Sequence, residues 1–70
     1  MRIELNGEPA ELPEGATVRD AAIAAGAEPL ARGVAVALDG EVVPRGRLEL
    51  TELSEGQRVE VVAAIGGGAT

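Results

Sequence analysis

Alternating polar and apolar residues at the start of the chain predict a β-hairpin. Ile3 and Leu5 are the apolar members of the first alternating run, which is the pattern of a strand with one buried face. The dipeptide Asn6-Gly7 follows, and both of its residues tolerate the positive φ angles of a tight hairpin turn. We therefore expect an antiparallel hairpin over residues 2–12.

A short helix is predicted next. Thr17 is suited to cap its N-terminus, because Asp20 three residues later completes a capping-box pattern. Four apolar residues then recur at helical spacing on one face: Val18, Ala21, Ala22 and Ala25. Gly26 is placed to end the helix. Ile23 lies off this apolar face, and we expect it to pack under a loop.

The second half of the chain predicts further strands. Residues 34–38 are apolar throughout, which favours a central strand covered on both faces. Asp39-Gly40 is a second hairpin turn that leads into residues 41–43. Residues 45–53 are compatible with a short strand or an irregular loop, and we expect residues 58–65 to form the last strand.

This order of elements predicts the fold class. One helix can cover only one face of a sheet. Two hairpins that flank a helix, with a last strand returning to the middle of the sheet, are typical of a β-grasp (ubiquitin-like) roll. We expect an α+β fold with a mixed, four- to five-stranded sheet in residues 1–65. The glycine-rich residues 66–70 are expected to form a flexible tail.

Composition excludes several kinds of site. The 70 residues include 12 acidic and 6 basic side chains, for a net charge of −6, and no His, Cys, Phe, Trp or Tyr. The chain therefore lacks a thiol nucleophile and an imidazole base, and we expect no catalytic side chain and no metal site. An acidic chain without a basic patch is not suited to nucleic acid. We find no apolar run long enough for a membrane span and no signal core, and expect a cytoplasmic monomer.

The glycine run is the chemical feature that remains. Gly66, Gly67 and Gly68 follow an apolar strand. Three extended residues reach about 10 Å. Because glycine has no Cβ, such an arm can enter a channel that excludes larger side chains. Glycine-rich ends are also often frayed termini, so the run alone leaves both interpretations open.

Two further features point to a partner protein. If Val36 and Val59 face the helix, small apolar residues face away from it beside the tail: Ala35, Ala37, Val62 and Ala64. This set is either ordinary surface or a docking patch. Arg45 follows a proline in a turn, and it is either a solvated turn residue or an ion-pair partner for another protein.

Taken together, several segments of the chain resemble the ThiS family, the sulfur carriers of thiamine biosynthesis. The similar segments are Asn6-Gly7-Glu8, residues 12–18, residues 34–45 and residues 53–62, followed by Gly67-Gly68. The resemblance covers nearly the whole chain. It implies a β-grasp fold and a carrier that acts as a protein cosubstrate rather than as an enzyme.

The resemblance also implies a mechanism. An E1-like adenylyltransferase adenylates the carboxylate of the terminal glycine, which is Gly68 by position, with Gly66 and Gly67 as the arm. A persulfide sulfur donor then displaces AMP and leaves a thiocarboxylate, and a thiazole synthase takes up the sulfur. The carrier itself is expected to bind no cofactor, and ATP is consumed by the activating partner.

The chain departs from the family pattern at three points. Asp39 stands where the family commonly has Asn, an aromatic residue is missing after Pro44-Arg45, and Ala69-Thr70 follow the glycine pair at which family members end. We expect the two extra residues to be removed or foreign to the mature carrier. Three alternative functions stay open at this point: a molybdopterin-type sulfur carrier, a ubiquitin-like protein modifier, and an inert β-grasp binding module.

Overall fold

A mixed sheet of five strands carries the fold. The computed structural model describes residues 1–28 and 31–63. Its strands are β1 (Arg2–Leu5), β2 (Glu8–Glu11), β3 (Val34–Leu38), β4 (Glu41–Val43) and β5 (Arg58–Ala63). Helix α1 spans Val18–Ala24, and a 3-10 turn spans Arg45–Arg47.

The last strand lies at the centre of the sheet. The spatial order is β2-β1-β5-β3-β4. Strand β5 runs parallel to β1 and antiparallel to β3, and the two hairpins β1–β2 and β3–β4 are antiparallel. This confirms the predicted α+β class and the β-grasp arrangement, with five strands rather than four.

Both predicted hairpin turns are present. Asn6 has φ 52° and Gly7 has φ 84°, while Asp39 has φ 50° and Gly40 has φ 89°. Positive φ at both central residues is the requirement of a type I′ turn, whose twist matches that of the flanking strands. Asn and Asp tolerate this conformation better than other side chains do, which explains why the two dipeptides fix the hairpins.

Helix α1 begins and ends as its sequence predicts. The main-chain N–H of Thr17 donates to Asp20 Oδ2 at 2.9 Å, and Asp20 N–H donates to Thr17 Oγ1 at 3.3 Å, which completes the capping box. Gly26 follows the C-cap with φ 85°. Two expectations for this helix are wrong. Ala25 is exposed because it is the C-cap, and Ile23 is 48% exposed instead of packing under a loop.

The core lies between α1 and one face of the sheet. Its fully buried members are Ile3, Val18, Val36 and Val59. Ala21 and Ala22 of α1 are also fully buried, and their small side chains let the helix backbone lie close to the sheet. No helix in the described part of the chain is long and apolar enough to cross a membrane.

The segment between β4 and β5, which the sequence left ambiguous, closes one end of the core. It forms the 3-10 turn and further turns rather than a strand. Leu48 and Leu53 are buried, whereas Leu50 is 71% exposed. The Leu48 carbonyl accepts from Arg19 N–H at 3.0 Å, and the Thr51 carbonyl accepts from Val18 N–H at 2.9 Å. The segment thus satisfies donors that the first turn of α1 leaves free.

Strand β3 differs from its predicted environment. The apolar run was expected to be covered on both faces, but only Val36 is fully buried, Ala37 is half-buried and Ala35 is exposed. The reason is that a single helix covers a single face of this sheet. A run of small apolar residues is found both in strands whose two faces are covered by other elements and in strands with one apolar face at the surface. The sequence pattern alone does not distinguish the two.

Replacing Leu48 by Ala is expected to destabilise the protein by about 2–5 kcal/mol, the range for large-to-small changes in a core. Leu50→Ala is the matched control, because it removes the same atoms from a side chain that is 71% exposed. That variant should stay within about 0.5 kcal/mol of the parent. Urea unfolding monitored by circular dichroism measures both. Equal losses of stability in the two variants would contradict the assignment of Leu48 to the core.

Candidate functional site

Strand β5 is the described element nearest in sequence to the glycine run, with two residues between Ala63 and Gly66. The contacts that hold β5 are therefore the part of the fold that bears on the predicted site. The predicted site residues Ala64, Gly66, Gly67 and Gly68 lie outside the described residues, as does the predicted domain boundary after residue 65. The last described residue before them is Ala63, at the end of β5.

The first residue of the β3–β4 turn fixes the start of β5. Asp39 N–H donates to the Arg58 carbonyl at 2.8 Å, and Asp39 Oδ1 accepts from Arg58 N–H at 2.9 Å. Asp39 Oδ2 also accepts from the Gln57 side-chain amide at 3.0 Å. The side chain of Asp39 therefore continues the ladder of hydrogen bonds past the end of β3.

The charge state of Asp39 is coupled to these contacts. The hydrogen bond from the Arg58 main chain lowers the pKa of Asp39 below its usual value of 3.8, and the bond from Gln57 lowers it further. Desolvation acts against these two hydrogen bonds, and the positive charge of Arg58 is a smaller effect that lowers the pKa. An Asn at this position could accept from Arg58 N–H but would have no second oxygen for Gln57.

The first residue of the β1–β2 turn makes similar contacts with β5, at the second and fourth residues of the strand. Asn6 N–H donates to the Val59 carbonyl at 2.9 Å, and Asn6 Oδ1 accepts from Val61 N–H at 2.8 Å. Sequence analysis identified Asn6 and Asp39 as turn residues and did not predict that their side chains bond to β5. Their partners lie 55 and 19 positions away along the chain, so no local pattern could have indicated them.

The face of the sheet opposite α1 carries an apolar patch. In the antiparallel pairing, Ala35 lies opposite Val62, and Ala37 lies opposite Val42. Directly opposed residues share a face, and each of these pairs alternates with residues that face the core. Val42 is 71% and Val62 63% exposed. We call these four residues the outer patch: Ala35, Ala37, Val42 and Val62.

Val42 is the member of the outer patch that sequence analysis missed. A signal was available, because a two-residue turn at Asp39-Gly40 sets Leu38 opposite Glu41 and therefore Ala37 opposite Val42. The other three members were predicted to face away from the helix, and the register confirms their face. Their role in docking stays a prediction.

Charged residues border the outer patch on its β1 side. By register, Ala37 lies opposite Glu60, and Arg58 of β5 lies beside Glu4 of β1. Farther along the same face, Arg2 Nε contacts Glu11 Oε2 at 3.4 Å. The apolar part of this face is therefore confined to β3, β4 and the last residues of β5, next to the strand end that leads to the glycines.

Arg45 lines a hollow together with Arg19 of α1 and the buried Leu48. Its role in docking stays a prediction. Across residues 1–28 and 31–63, no cluster of three or more acidic side chains is arranged to hold a metal ion.

Comparisons with known proteins identify relatives along almost the whole chain. The ThiS family model matches residues 3–68. The crystal structure of the thiamine biosynthesis protein ThiS from Geobacter metallireducens superposes with a TM-score of 0.75 at 31% identity, covering 97% of this chain and 100% of that one. An NMR solution structure of a thiamine biosynthesis protein from the same organism has a TM-score of 0.73 at 30% identity, covering 97% and 88%. No curated protein matches the chain.

The lowered pKa of Asp39 predicts an acid-sensitive contribution to stability. A carboxylate whose pKa is depressed by folding stabilises the protein above its unfolded pKa, and this stabilisation disappears as the pH falls through the folded pKa. The parent should therefore be more stable than Asp39→Asn at about pH 6, and the difference should shrink at about pH 2. Urea unfolding of both proteins at the two pH values measures this. A difference that does not change with pH would refute it.

Proposed function

Since the chain belongs to the ThiS family, the sulfur carriers of thiamine biosynthesis, we propose that it carries sulfur as a thiocarboxylate on Gly68. The observation that supports Gly68 most directly is the family match, which runs from residue 3 through residue 68 and so includes the whole glycine run. The carrier is then a substrate of its partner enzymes, and the chemistry takes place on its main chain.

The proposed reaction begins with activation of the Gly68 carboxylate. A carboxylate is a poor electrophile, because attack on it would have to expel an oxide. One carboxylate oxygen attacks the α-phosphorus of ATP, pyrophosphate leaves, and the acyl adenylate that forms has AMP as a good leaving group. The terminal sulfur of a persulfide then attacks the carbonyl carbon and expels AMP, which gives an acyl disulfide.

A thiol completes the transfer. Its thiolate attacks the donor-side sulfur of the acyl disulfide, so that a disulfide leaves and the thiocarboxylate remains on Gly68. No side chain of the carrier takes part in these steps, and an adenylyltransferase and a thiazole synthase are its proposed partners. The chain contributes an arm without Cβ atoms at residues 66–68 and a body from which that arm extends.

The outer patch is the proposed docking surface for the adenylyltransferase. It lies at the end of β5 that leads to the arm, so a partner that covers it brings the arm to its own active site. Val62 and Val42 are the large exposed members, while the two alanines keep the surface flat. Apolar residues at the centre and charged residues at the border match the usual anatomy of a protein interface.

The residues after Gly68 set a condition for this chemistry. In the sequence, the Gly68 carbonyl forms an amide with Ala69, so it has no carboxylate to adenylate. Thr70 is β-branched and does not fit a channel shaped for glycine. A displacement of the reacting carboxylate by about 1 Å can cost ~10²-fold in rate, and two residues displace it by several Å. The form that ends at Gly68 is therefore the proposed substrate.

A chain that ends at Gly68 is expected to support ATP–pyrophosphate exchange by the adenylyltransferase of the same organism, and the 70-residue chain is expected to be inactive. Every described core residue lies at or before Val59, so the shortened chain keeps all of them. Mass spectrometry after addition of a persulfide should then record replacement of one oxygen by sulfur. Equal exchange by the two chains, with Ala69-Thr70 still attached, would contradict the assignment of Gly68. An adduct on a lysine of another protein would indicate a modifier instead.

Val62→Glu is expected to weaken binding to the adenylyltransferase by about tenfold or more, because a charge at the centre of an interface loses its hydration. Ile23→Glu is the matched control, since Ile23 is also a large exposed apolar residue but lies on α1, which covers the other face. Isothermal titration calorimetry with chains that end at Gly68 measures both. Unchanged affinity of a folded Val62→Glu variant would exclude the outer patch as the docking surface.

A further inference from the structure

Strand β1 ends before its partner β5 does. The parallel register pairs Glu4 with Arg58 and Leu5 with Val59, and the chain then turns at Asn6 with φ 52°. In a parallel ladder the bonds are evenly spaced, so a continued β1 would offer the main-chain carbonyl of Asn6 to the N–H of Val61. The turn directs the chain toward β2 instead, and that acceptor is lost.

The side chain of Asn6 replaces the lost acceptor. Its Oδ1 lies 2.8 Å from Val61 N, while its own N–H donates to the Val59 carbonyl at 2.9 Å. The β1 side of the ladder is thereby extended by one step toward the C-terminal end of β5. On the other side, β3 pairs with β5 as far as Ala63. Without the Asn6 side chain, the hydrogen bonds of β5 beyond Val59 to other described strands would all lie on its β3 side.

The bond from Asn6 acts on the part of β5 that lies beside the outer patch. Val61 is adjacent to Val62, the member of the outer patch that lies on β5, and is two residues from the last described residue, Ala63. We propose that Asn6 is a positioning residue: through Val61 it holds Val62 in the geometry that the adenylyltransferase binds. This inference rests on the proposed function, since it assigns Asn6 a role in recognition of the carrier.

The chain contains its own control for this proposal. Asp39 makes the same pair of contacts with β5 from the other hairpin turn, but at Arg58, where the strand starts. Removal of either side chain takes a hydrogen bond from β5, yet only Asn6 acts next to Val62. If a weakened sheet alone raised KM for the carrier, removal of either side chain would raise it. If the position of Val62 is what matters, only removal of the Asn6 side chain raises it.

The test compares Asn6→Gly, Asn6→Asp and Asp39→Gly in chains that end at Gly68. Glycine suits both turns because it accepts positive φ, so the hairpins are retained. Asp at position 6 keeps an acceptor oxygen for Val61 N–H, as Asp39 does for Arg58 in the parent. Two quantities are measured at a temperature well below unfolding: hydrogen exchange of the Val61 amide by NMR, and KM and kcat for the carrier in ATP–pyrophosphate exchange.

In Asn6→Gly, Val61 amide exchange should be about fivefold faster, on the scale of one net hydrogen bond. KM for the carrier should rise by up to about the same factor, because docking must then order the strand end, while kcat at saturation stays the same. In Asn6→Asp, the Val61 amide exchange rate and KM should both be close to the parent values. Asp39→Gly should lower the melting temperature and leave KM unchanged.

Two results would overturn the role of Asn6: a KM for Asn6→Gly equal to that of the parent, or an equal rise in KM for Asp39→Gly. Both comparisons of KM require that the parent chain is adenylated. If the parent that ends at Gly68 is not adenylated at all, the proposed function fails, and the positioning role fails with it. The parent reaction therefore distinguishes failure of the proposed function from failure of this inference.

Discussion

Strand β5 is hydrogen-bonded along both of its edges, and the other elements of the fold depend on that pairing. It joins two hairpins that are distant in sequence, one through parallel bonds to β1 and the other through antiparallel bonds to β3. Its Val59 side chain is fully buried beneath α1. Asn6 and Asp39 lengthen the pairing on opposite sides, because each turn residue supplies a side-chain oxygen where its strand has ended.

In the described part of the chain, α1 is the only α-helix. Because α1 covers one face only, the other face of the sheet keeps its small apolar residues at the surface, beside the end of β5. In the proposed function the chemistry takes place on the main chain of Gly68, so the rest of the protein has to offer a surface that a partner enzyme can bind. The charged residues of β1 and β2 limit the apolar part of this face to β3, β4 and the last described residues of β5.

Much of this architecture can be predicted from local sequence signals. Asn6-Gly7 and Asp39-Gly40 fix both hairpins because few other dipeptides adopt two positive φ angles, and Thr17 with Asp20 fixes the start of α1.

The burial of the leucines in residues 45–53 could not be predicted in the same way, because Leu48 and Leu50 are separated by one residue and yet differ in burial. Leu48 caps the end of the 3-10 turn and Leu50 lies in the turn that follows, whereas a strand would have placed both on the same face. The bond from Val61 to Asn6 depends on the assembled sheet, so only the structure reveals it.

The proposed function requires that sulfur is carried on the main chain of Gly68. The most direct measurement is the intact mass of this protein purified from its own cells, with fragmentation to identify the terminal residue. We expect a chain that ends at Gly68, in which one terminal oxygen is replaced by sulfur in part of the molecules. Recovery of only the sulfur-free chain that ends at Thr70, from cells that are actively making thiamine, would contradict a thiocarboxylate on Gly68.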